Sequence, residues 1–381
     1  MLKQAFTYLK TFFKRADMLL FSLALVSAIF GIVVISSATA SDPSSSYVIV
    51  QSVSLLLGIG LFVLLTVIDI DIIADKWMVL VGVSVLLVLA LIPFGVDDGT
   101  GNKAWIRFFG IGIQPSEVVK VLFIIVFAKH TSSFRENRKL NSPLSVLQLT
   151  ANFFFFFGLI IVISSDLGSA LVYLFIFFII LFASGVKFYW FAIGIGALAA
   201  ATPLIWTHLL KPYQRDRILA PYVPGIDPDG FGIRWQANQS KLAMASGQLT
   251  GTGLYNGLQA QSNALPAKHT DFIFGVIGEE LGMIGCLAVI LLLTAIIIRC
   301  VYVGVKSKNT MNMLVCFGVA ATFFFQTFEN IGMCMGIAPV IGITLPLFSY
   351  GGSSLFCMFA ALGLVSGIRY RPKPERFRSY G

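Results

Sequence analysis

The sequence predicts an all-α polytopic membrane protein with ten transmembrane helices and one large extracytoplasmic loop between the seventh and the eighth. The first observation is the composition of the 381-residue chain, which is 57% hydrophobic and only 12% charged. Its mean hydropathy is +0.87, whereas soluble domains are about 45 to 50% apolar and about 25% charged. The second is a series of apolar runs of roughly 20 residues, the length that crosses a bilayer. The third is the placement of the basic residues.

Ten apolar segments have the length of transmembrane helices. They cover residues 18–38, 47–68, 77–95, 115–129, 145–164, 167–186, 188–207, 272–298, 312–335 and 351–369. The first follows two basic residues, as a signal peptide would, but its apolar run exceeds the usual length of about 7 to 15 residues. We therefore expect a retained helix.

Boundary residues support this order of helices. A Ser- and Pro-rich turn at 42–46 follows the first helix, and three aspartates within 69–75 end the second. Pro115 stands near the start of the fourth helix, where proline is favoured. Asp166 precedes the sixth helix, where a carboxylate can cap backbone N–H groups.

The basic residues predict the orientation. With the N-terminus inside, 18 of the 27 Lys and Arg residues fall on the cytoplasmic side, as positive charge does in plasma-membrane proteins. An even number of helices also returns the C-terminus inside. We expect one membrane domain over 1–381, with cytoplasmic tails at 1–17 and 370–381 and the extracytoplasmic loop at 208–270. The net charge of +9 is then explained by membrane lipid, without a nucleic-acid partner.

The cysteines and histidines do not predict a metal site. All five cysteines fall in or at the ends of predicted helices, and no Cys-x-x-Cys pair accompanies the three scattered histidines. Neither a disulfide framework nor a zinc site is expected.

The fourth helix carries two charges inside the membrane. Glu117 and Lys120 are three residues apart and so lie on one helix face, while Lys103 and Arg107 precede them at the outer interface. An intramembrane charge costs about 2.5 to 3.5 kcal/mol on insertion scales, so both should face the bundle interior. A buried ion pair that fixes packing and a role in a polar cavity remain equally open.

The long loop has a basic character that topology does not require, given by Arg215, Arg217, Arg234, Lys241 and Lys268. The candidate binding residues are Arg215 and Arg217 in the 213–217 run, and Gln236, Ser240 and Lys241 in the segment ahead of a Gly-rich turn. Phosphate binding is the physical reason that we offer for the charge. The Gln- and Ser-containing segment could form a short re-entrant helix.

Asp271 stands where this polar loop meets the eighth helix. A carboxylate at that level suits an acid or base acting on a polar substrate carried on a lipid. Position alone favours a helix cap, because an Asp before an apolar helix accepts backbone N–H bonds. Asn330 in the ninth helix, and Ser349 and Ser353 at the start of the tenth, add polar groups whose simpler explanation is hydrogen bonding between helices.

Taken together, these segments resemble the SEDS family of RodA, FtsW and SpoVE, in the family's order and over nearly the whole chain. The matching segments are Gln114-Pro115-Ser116-Glu117, Asp166-Leu167-Gly168, Tyr213-Gln214-Arg215-Asp216-Arg217, His269-Thr270-Asp271-Phe272-Ile273-Phe274, Glu279-Glu280-Leu281-Gly282, Asn330-Ile331-Gly332-Met333 and Ser349-Tyr350-Gly351-Gly352-Ser353. The loop at 221–236 departs from the family's pattern, as does Ser164-Ser165, where Gln-Pro is usual. The 214–217 run favours the RodA member, whereas the Gly-Glu-Glu-Leu-Gly run at 278–282 is as close to FtsW or SpoVE, so a role in elongation, division or sporulation stays open.

The resemblance implies a ten-helix peptidoglycan glycosyltransferase that polymerises lipid II at the outer face of the bacterial plasma membrane. It implies that Asp271 is the catalytic base, that undecaprenyl pyrophosphate leaves with inversion, and that Glu117 and Lys120 face a central cavity. A class B penicillin-binding protein is the implied partner. No resident cofactor is required; a divalent cation, Mg²⁺ or Mn²⁺, near the pyrophosphate stays open. A lipid II flippase and a non-catalytic scaffold of the cell-wall machinery are the alternatives.

Overall fold

The computed structural model describes residues 12–41, 46–96, 103–108, 111–262 and 264–370. The predicted tail at 370–381 therefore lies outside the described residues apart from Tyr370, as do the first eleven residues of the tail at 1–17 and most of the turn at 42–46. The helices are α1 (Met18–Ala38), α2 (Tyr47–Val67), α3 (Ile70–Asp75), α4 (Trp77–Leu89), α5 (Leu91–Phe94), α6 (Pro115–Glu136), α7 (Pro143–Ser164), α8 (Leu167–Ser184), α9 (Phe188–Leu204), α10 (Pro212–Leu219), α11 (Trp235–Gly247), α12 (Leu258–Gln261), α13 (Ile273–Lys306), α14 (Thr310–Cys334) and α15 (Gly352–Tyr370).

The predicted class of polytopic helical membrane protein is confirmed. Within the described ranges, nine helical segments are long and apolar enough to cross a membrane. The remaining predicted segment, the fourth, corresponds to α6, whose 22 residues make a helix about 33 Å long. Its charged residues Glu117, Lys120 and Lys129 keep it outside that apolar group. The number of ten spanning helices stays a prediction.

A small antiparallel sheet interrupts the helical pattern, which the sequence did not predict. Its strands are β1 (Gly95–Val96), β2 (Trp105–Phe108) and β3 (Ile111–Ile113). Gly95 pairs with Ile106, and Arg107 pairs with Gly112. The predicted third helix ends at Phe94 after a break at Ala90, because the chain there turns into β1.

α15 lies at the centre of the bundle and packs closely against α2. A Cβ atom added at Gly363 would lie 2.8 Å from the carbonyl oxygen of Phe62, and one at Gly367 would lie 2.8 Å from that of Leu65. Small residues at such contacts let helix backbones approach each other in membranes. α9 is the opposite case, since none of its residues is buried.

α13 is broken near its start, whereas the sequence predicted one continuous helix over 272–298. Gly282 has φ +66°, which interrupts the helical hydrogen bonds. The freed N–H groups of Met283 and Ile284 donate to the carbonyl oxygens of Gln248 and Leu249.

The carbonyl oxygens freed on the other side of this break are satisfied in the same way. Those of Glu279 and Glu280 accept hydrogen bonds from the N–H groups of Thr252 and Gly253. Non-helical backbone at membrane depth needs such internal partners. The segment after α11 therefore inserts into the break, while the re-entrant helix stays a prediction.

Asp17 ties three helices together at the opposite end of the bundle. It caps α1 by accepting from the N–H of Leu20, and its buried carboxylate pairs with Arg299 at 2.8 Å and Arg369 at 3.0 Å. The end of the predicted N-terminal tail is thus part of the packed structure.

Candidate functional site

Asp271 lies two residues before α13 and is half-buried. The N-cap residue of α13 is Phe272, whose side chain makes no capping hydrogen bond. Asp271 therefore does not occupy the capping position that its place in the sequence favoured. A carboxylate outside that position can act on something other than the helix.

Asn330 fixes the backbone at Asp271. Its Nδ2 atom donates to the carbonyl oxygen of Asp271 at 2.7 Å and to that of Ile343, also at 2.7 Å. Asn330 itself is fully buried in α14. One amide therefore joins α14, the start of α13 and the loop 335–351 that precedes α15.

The loop 335–351 passes beside the carboxylate of Asp271. Gly342 has φ +75°, and a Cβ atom added there would lie 3.6 Å from Oδ2 of Asp271. The same loop contacts α8, because a Cβ atom added at Gly168 would lie 2.6 Å from the carbonyl oxygen of Ile341. Three consecutive loop residues therefore connect the surroundings of Asp271 with the start of α8.

Asp166 caps α8, as the sequence predicted, and also joins neighbouring elements. Its carboxylate accepts from the backbone N–H of Ser169 at 2.9 Å, from the Ser169 hydroxyl at 2.6 Å and from Nε2 of Gln114 at 2.8 Å. The backbone N–H of Gln114 donates in turn to the hydroxyl of Ser353 at 3.0 Å. Asp166 and Ser353 thus hold α6, α8 and α15 together at the end of the bundle that carries Asp271.

His269 and Ser349 position the residues just before Asp271. The Ser349 hydroxyl donates to the carbonyl oxygen of Thr270 at 2.7 Å, and the N–H of Tyr350 donates to that of His269 at 2.8 Å. The imidazole of His269 packs against Tyr47 and Tyr350, with ring centroids 4.6 and 5.6 Å away. Both candidate binding residues therefore make structural contacts to the Asp271 segment.

Glu279 and Lys268 hold opposite ends of the short helix α12. The Glu279 carboxylate accepts from the N–H groups of Gln259 and Ala260 at 2.8 and 2.9 Å. The buried Lys268 ammonium donates to the carbonyl oxygens of Ala260 and Ser262. Each charge matches the helix dipole at its end. The sequence indicated a phosphate ligand at Lys268; the structure shows a brace for the segment that carries Asp271.

Glu117 and Lys120 form the predicted intramembrane pair. Nζ of Lys120 lies 2.6 Å from Oε1 of Glu117, and the two residues are 1% and 4% exposed. Among the described residues, Oε2 of Glu117 has no hydrogen-bond partner. A pair that served packing alone would be expected to satisfy both oxygens, because an unpartnered buried acceptor is costly.

The other basic candidates occupy different places. The Arg215 guanidinium donates to the carbonyl oxygens of Thr207 and Leu210, so it stabilises the chain after α9 and is not directed at a ligand. Lys103 and Arg107 are exposed at the small sheet. Burial raises the pKa of Tyr350, and the positive charge of Arg107 acts in the opposite direction, which places that charge near the Asp271 segment.

α11 carries the remaining candidates. Gln236 is half-buried in its first turn. Ser240 is fully buried against the first turn of α13, since a Cβ atom added at Gly275 would lie 2.5 Å from its hydroxyl oxygen. Lys241 and Arg217 line a pocket beside the turn that follows α14. Ser240 therefore packs against α13 with a hydroxyl that has no hydrogen-bond partner among the described residues, and the two cations line a pocket of their own.

The described residues do not contain a cluster suited to a metal ion. No group of three or more His, Cys, Asp or Glu side chains within those ranges is arranged to hold one.

Comparisons with known proteins agree on one family. The MrdB peptidoglycan glycosyltransferase of Escherichia coli K12 is 33% identical over 292 residues, which are 76% of this chain and 77% of that protein. A probable FtsW peptidoglycan glycosyltransferase of Pseudoalteromonas atlantica is 32% identical over 378 residues, covering 94% and 74% of the two chains.

A solved structure and a family model give the same result. One chain of a peptidoglycan synthase complex, described as coordinating polymerization and crosslinking, matches with a TM-score of 0.77 and 30% identity over 93% of this chain and 97% of that one. The cell cycle protein model for FtsW, RodA and SpoVE matches residues 16–373. This chain therefore belongs to the FtsW, RodA and SpoVE family of cell cycle proteins, as its motifs predicted.

Proposed function

We propose that this chain is a peptidoglycan glycosyltransferase that polymerises lipid II, with Asp271 as its catalytic base. The observation that carries the proposal is the half-buried carboxylate of Asp271 at the end of a membrane-spanning helix, on a backbone held by the buried Asn330. In lipid II, the lipid tail meets the sugar head at the membrane surface, which is the level of such a helix end. Two lipid-anchored substrates would bring their sugars to the carboxylate without a further search through solution.

The proposed reaction transfers one glycosyl group. The Asp271 carboxylate takes the proton of the acceptor GlcNAc 4-hydroxyl as its oxygen attacks C1 of the donor MurNAc. The bond from C1 to the pyrophosphate oxygen breaks with inversion, and its electron pair leaves on undecaprenyl pyrophosphate. General base catalysis contributes about 10² to 10⁴-fold to such a step. Cationic side chains stabilise the charge that develops on the leaving group.

Local packing supports the use of Asp271 as a fixed base. Asn330 and Ser349 bond to backbone carbonyl oxygens at Asp271 and Thr270, and the loop at Gly342 passes beside the carboxylate. Hydrogen bonds of this kind hold the backbone of a reacting residue in place.

Transport of lipid II is the second candidate function. The observation that favours it is the buried Glu117–Lys120 pair inside α6, in which Oε2 of Glu117 has no hydrogen-bond partner among the described residues; polar groups at membrane depth are typical of transporters. Transport would not need a base at Asp271, and a scaffold would need neither feature.

The proposed setting is the bacterial plasma membrane, with both termini in the cytoplasm and Asp271 at the outer face. The distribution of Lys and Arg supports this orientation. A class B penicillin-binding protein is the proposed partner, supported by the similar chain in a peptidoglycan synthase complex that couples polymerization and crosslinking. Any Mg²⁺ or Mn²⁺ would arrive with the pyrophosphate.

The test uses purified protein, with and without a class B penicillin-binding protein, and lipid II in detergent. We expect glycan chains on a gel that resolves their lengths. The same preparation in liposomes should not move fluorescent lipid II between leaflets faster than empty liposomes do. If no glycan chains formed with or without the partner, and lipid II moved rapidly between leaflets, transport would replace polymerisation as the proposed function.

A further inference from the structure

A basic pocket lies between α10, α11 and the turn after α14. It is partly open to solvent, and its lining includes Arg217, Arg234, Asn238, Lys241, Gly336 and Val340. The wall opposite these polar side chains is apolar or backbone. We refer to it as the basic pocket.

The three cations of the basic pocket are not neutralised by the protein. No acidic residue lines the pocket, and none of the three forms an ion pair with any described residue. Asp227, in the same loop, directs its carboxylate at the backbone N–H groups of Gly232 and Arg234. Like charges gathered in one pocket repel each other, and an anion with several negative oxygens would remove that repulsion.

The pocket also has the donors that such an anion requires. The two guanidinium groups can each form paired hydrogen bonds to phosphate oxygens, and Lys241 adds a compact charge. Nζ of Lys241 lies 3.0 Å from the Cβ position at Gly336, where φ is +67°. A side chain at Gly336 would displace the ammonium from its present place.

The basic pocket and Asp271 share one short segment of chain. Val340 lines the pocket, and Gly342, two residues later, lies beside the Asp271 carboxylate. Two residues span at most about 7 Å. The basic pocket and the Asp271 carboxylate are therefore adjacent to neighbouring residues of one loop segment.

We propose that the basic pocket binds the pyrophosphate of the lipid-linked donor. This inference rests on the proposed function and deepens it. The pocket holds the leaving group while C1 of the donor faces the acceptor hydroxyl beside Asp271. When the C1–oxygen bond breaks, the electron pair passes to the pyrophosphate oxygen, whose added charge the three cations stabilise.

The experiment measures binding and does not depend on turnover. The protein is placed in phosphatidylcholine nanodiscs and titrated with undecaprenyl pyrophosphate, and the Kd is read from tryptophan fluorescence. The variants are R234Q, K241Q and their double variant, with K211Q as the control because Lys211 is exposed in the same loop and does not line the pocket. Thermal midpoints and gel filtration confirm that each variant is folded.

We expect the double variant to raise the Kd at least tenfold, each single variant by severalfold, and K211Q by less than twofold. Undecaprenyl monophosphate should bind more weakly than the pyrophosphate to the wild type. An unchanged Kd in the folded double variant would overturn the assignment.

A second arm separates the donor from ordinary anionic lipid. Phosphatidylglycerol at equal mole fraction should not compete with undecaprenyl pyrophosphate; full competition would make the pocket a headgroup site and overturn the proposal. A failure of the proposed polymerase function would give a different result. The variants would change the Kd for undecaprenyl pyrophosphate as expected, but the wild type would make no glycan.

Discussion

The side-chain amide of Asn330 lies 2.7 Å from the backbone carbonyl oxygen of Asp271, and the same nitrogen lies 2.7 Å from the carbonyl oxygen of Ile343. Asn330 therefore bonds to the backbone of Asp271 and not to its carboxylate. Asn330 is thus a positioning residue in our account, and its removal should affect the rate more than the binding of lipid II.

We expect N330L to lower the rate of lipid II polymerisation about 10²-fold, the order of loss that follows from misplacing a reacting group by about 1 Å. The variant leaves two buried carbonyl oxygens without this donor, which costs about 1 to 3 kcal/mol of unfolding free energy. The control is T322V, on the same helix, whose hydroxyl bonds only to Gly318 one turn away. An N330L protein that is folded and as fast as T322V would refute the positioning role.

The Glu117–Lys120 pair gives a double-mutant test. Neutralising one partner leaves the other charge buried, so E117Q and K120M should each lower the unfolding free energy by about 3 to 5 kcal/mol. The double variant should recover much of that loss, as measured by denaturation in detergent.

The activity of this double variant decides between packing and a cavity role. Because Oε2 of Glu117 has no partner among the described residues, we expect polymerisation to remain impaired in the stable double variant. Recovery of both stability and polymerisation would show that the pair serves packing alone.

Gly282 should be intolerant of any side chain. Its φ is +66°, and an added Cβ atom would lie 2.4 Å from the backbone nitrogen of Gly251. We expect G282A to reduce the yield of folded protein severely. G82A is the matched control, since nothing lies within 4 Å of its Cβ position in α4 and alanine is favoured over glycine within a helix by roughly 0.5 to 1 kcal/mol. Equal yields from the two variants would show that the break in α13 does not depend on Gly282.

The brace formed by Lys268 and Glu279 predicts a local effect. K268M removes the donor to the carbonyl oxygens at the end of α12. We expect faster amide hydrogen exchange at Leu258–Gln261 and slower polymerisation, with little change in the thermal midpoint of the whole protein. K308M, which removes an exposed charge elsewhere, should change neither. Unaltered exchange in K268M would contradict the brace.

Apolar length predicted the positions of the spanning helices well, because bilayer thickness imposes it directly. The first predicted span, 18–38, coincides with α1, and the others begin within a few residues of their helices. The break at Gly282 could not be predicted, since it depends on backbone hydrogen bonds to residues 27 to 35 positions earlier. The sheet was missed because its strands are only two to four residues long.

The site was predicted unevenly. Asp271, Asn330 and the loop before α15 meet as a group, and their residues carried the family motifs. Arg215 and Lys268 looked like phosphate ligands because sequence shows charge without direction, whereas in the structure both bind backbone carbonyl oxygens. Only tertiary structure distinguishes a cation that caps a helix from one that lines a pocket.

The most direct test of the central claim is the single-turnover rate of lipid II polymerisation by D271N, measured beside the wild type and beside D229N, an exposed Asp in the long loop. Asparagine keeps the size of the side chain and removes the base. We predict a rate about 10² to 10⁴-fold below the wild type, with unchanged thermal midpoint and unchanged Kd for lipid II, while D229N stays within twofold. A D271N protein that polymerises lipid II at the rate of D229N would contradict the assignment of Asp271 as the catalytic base.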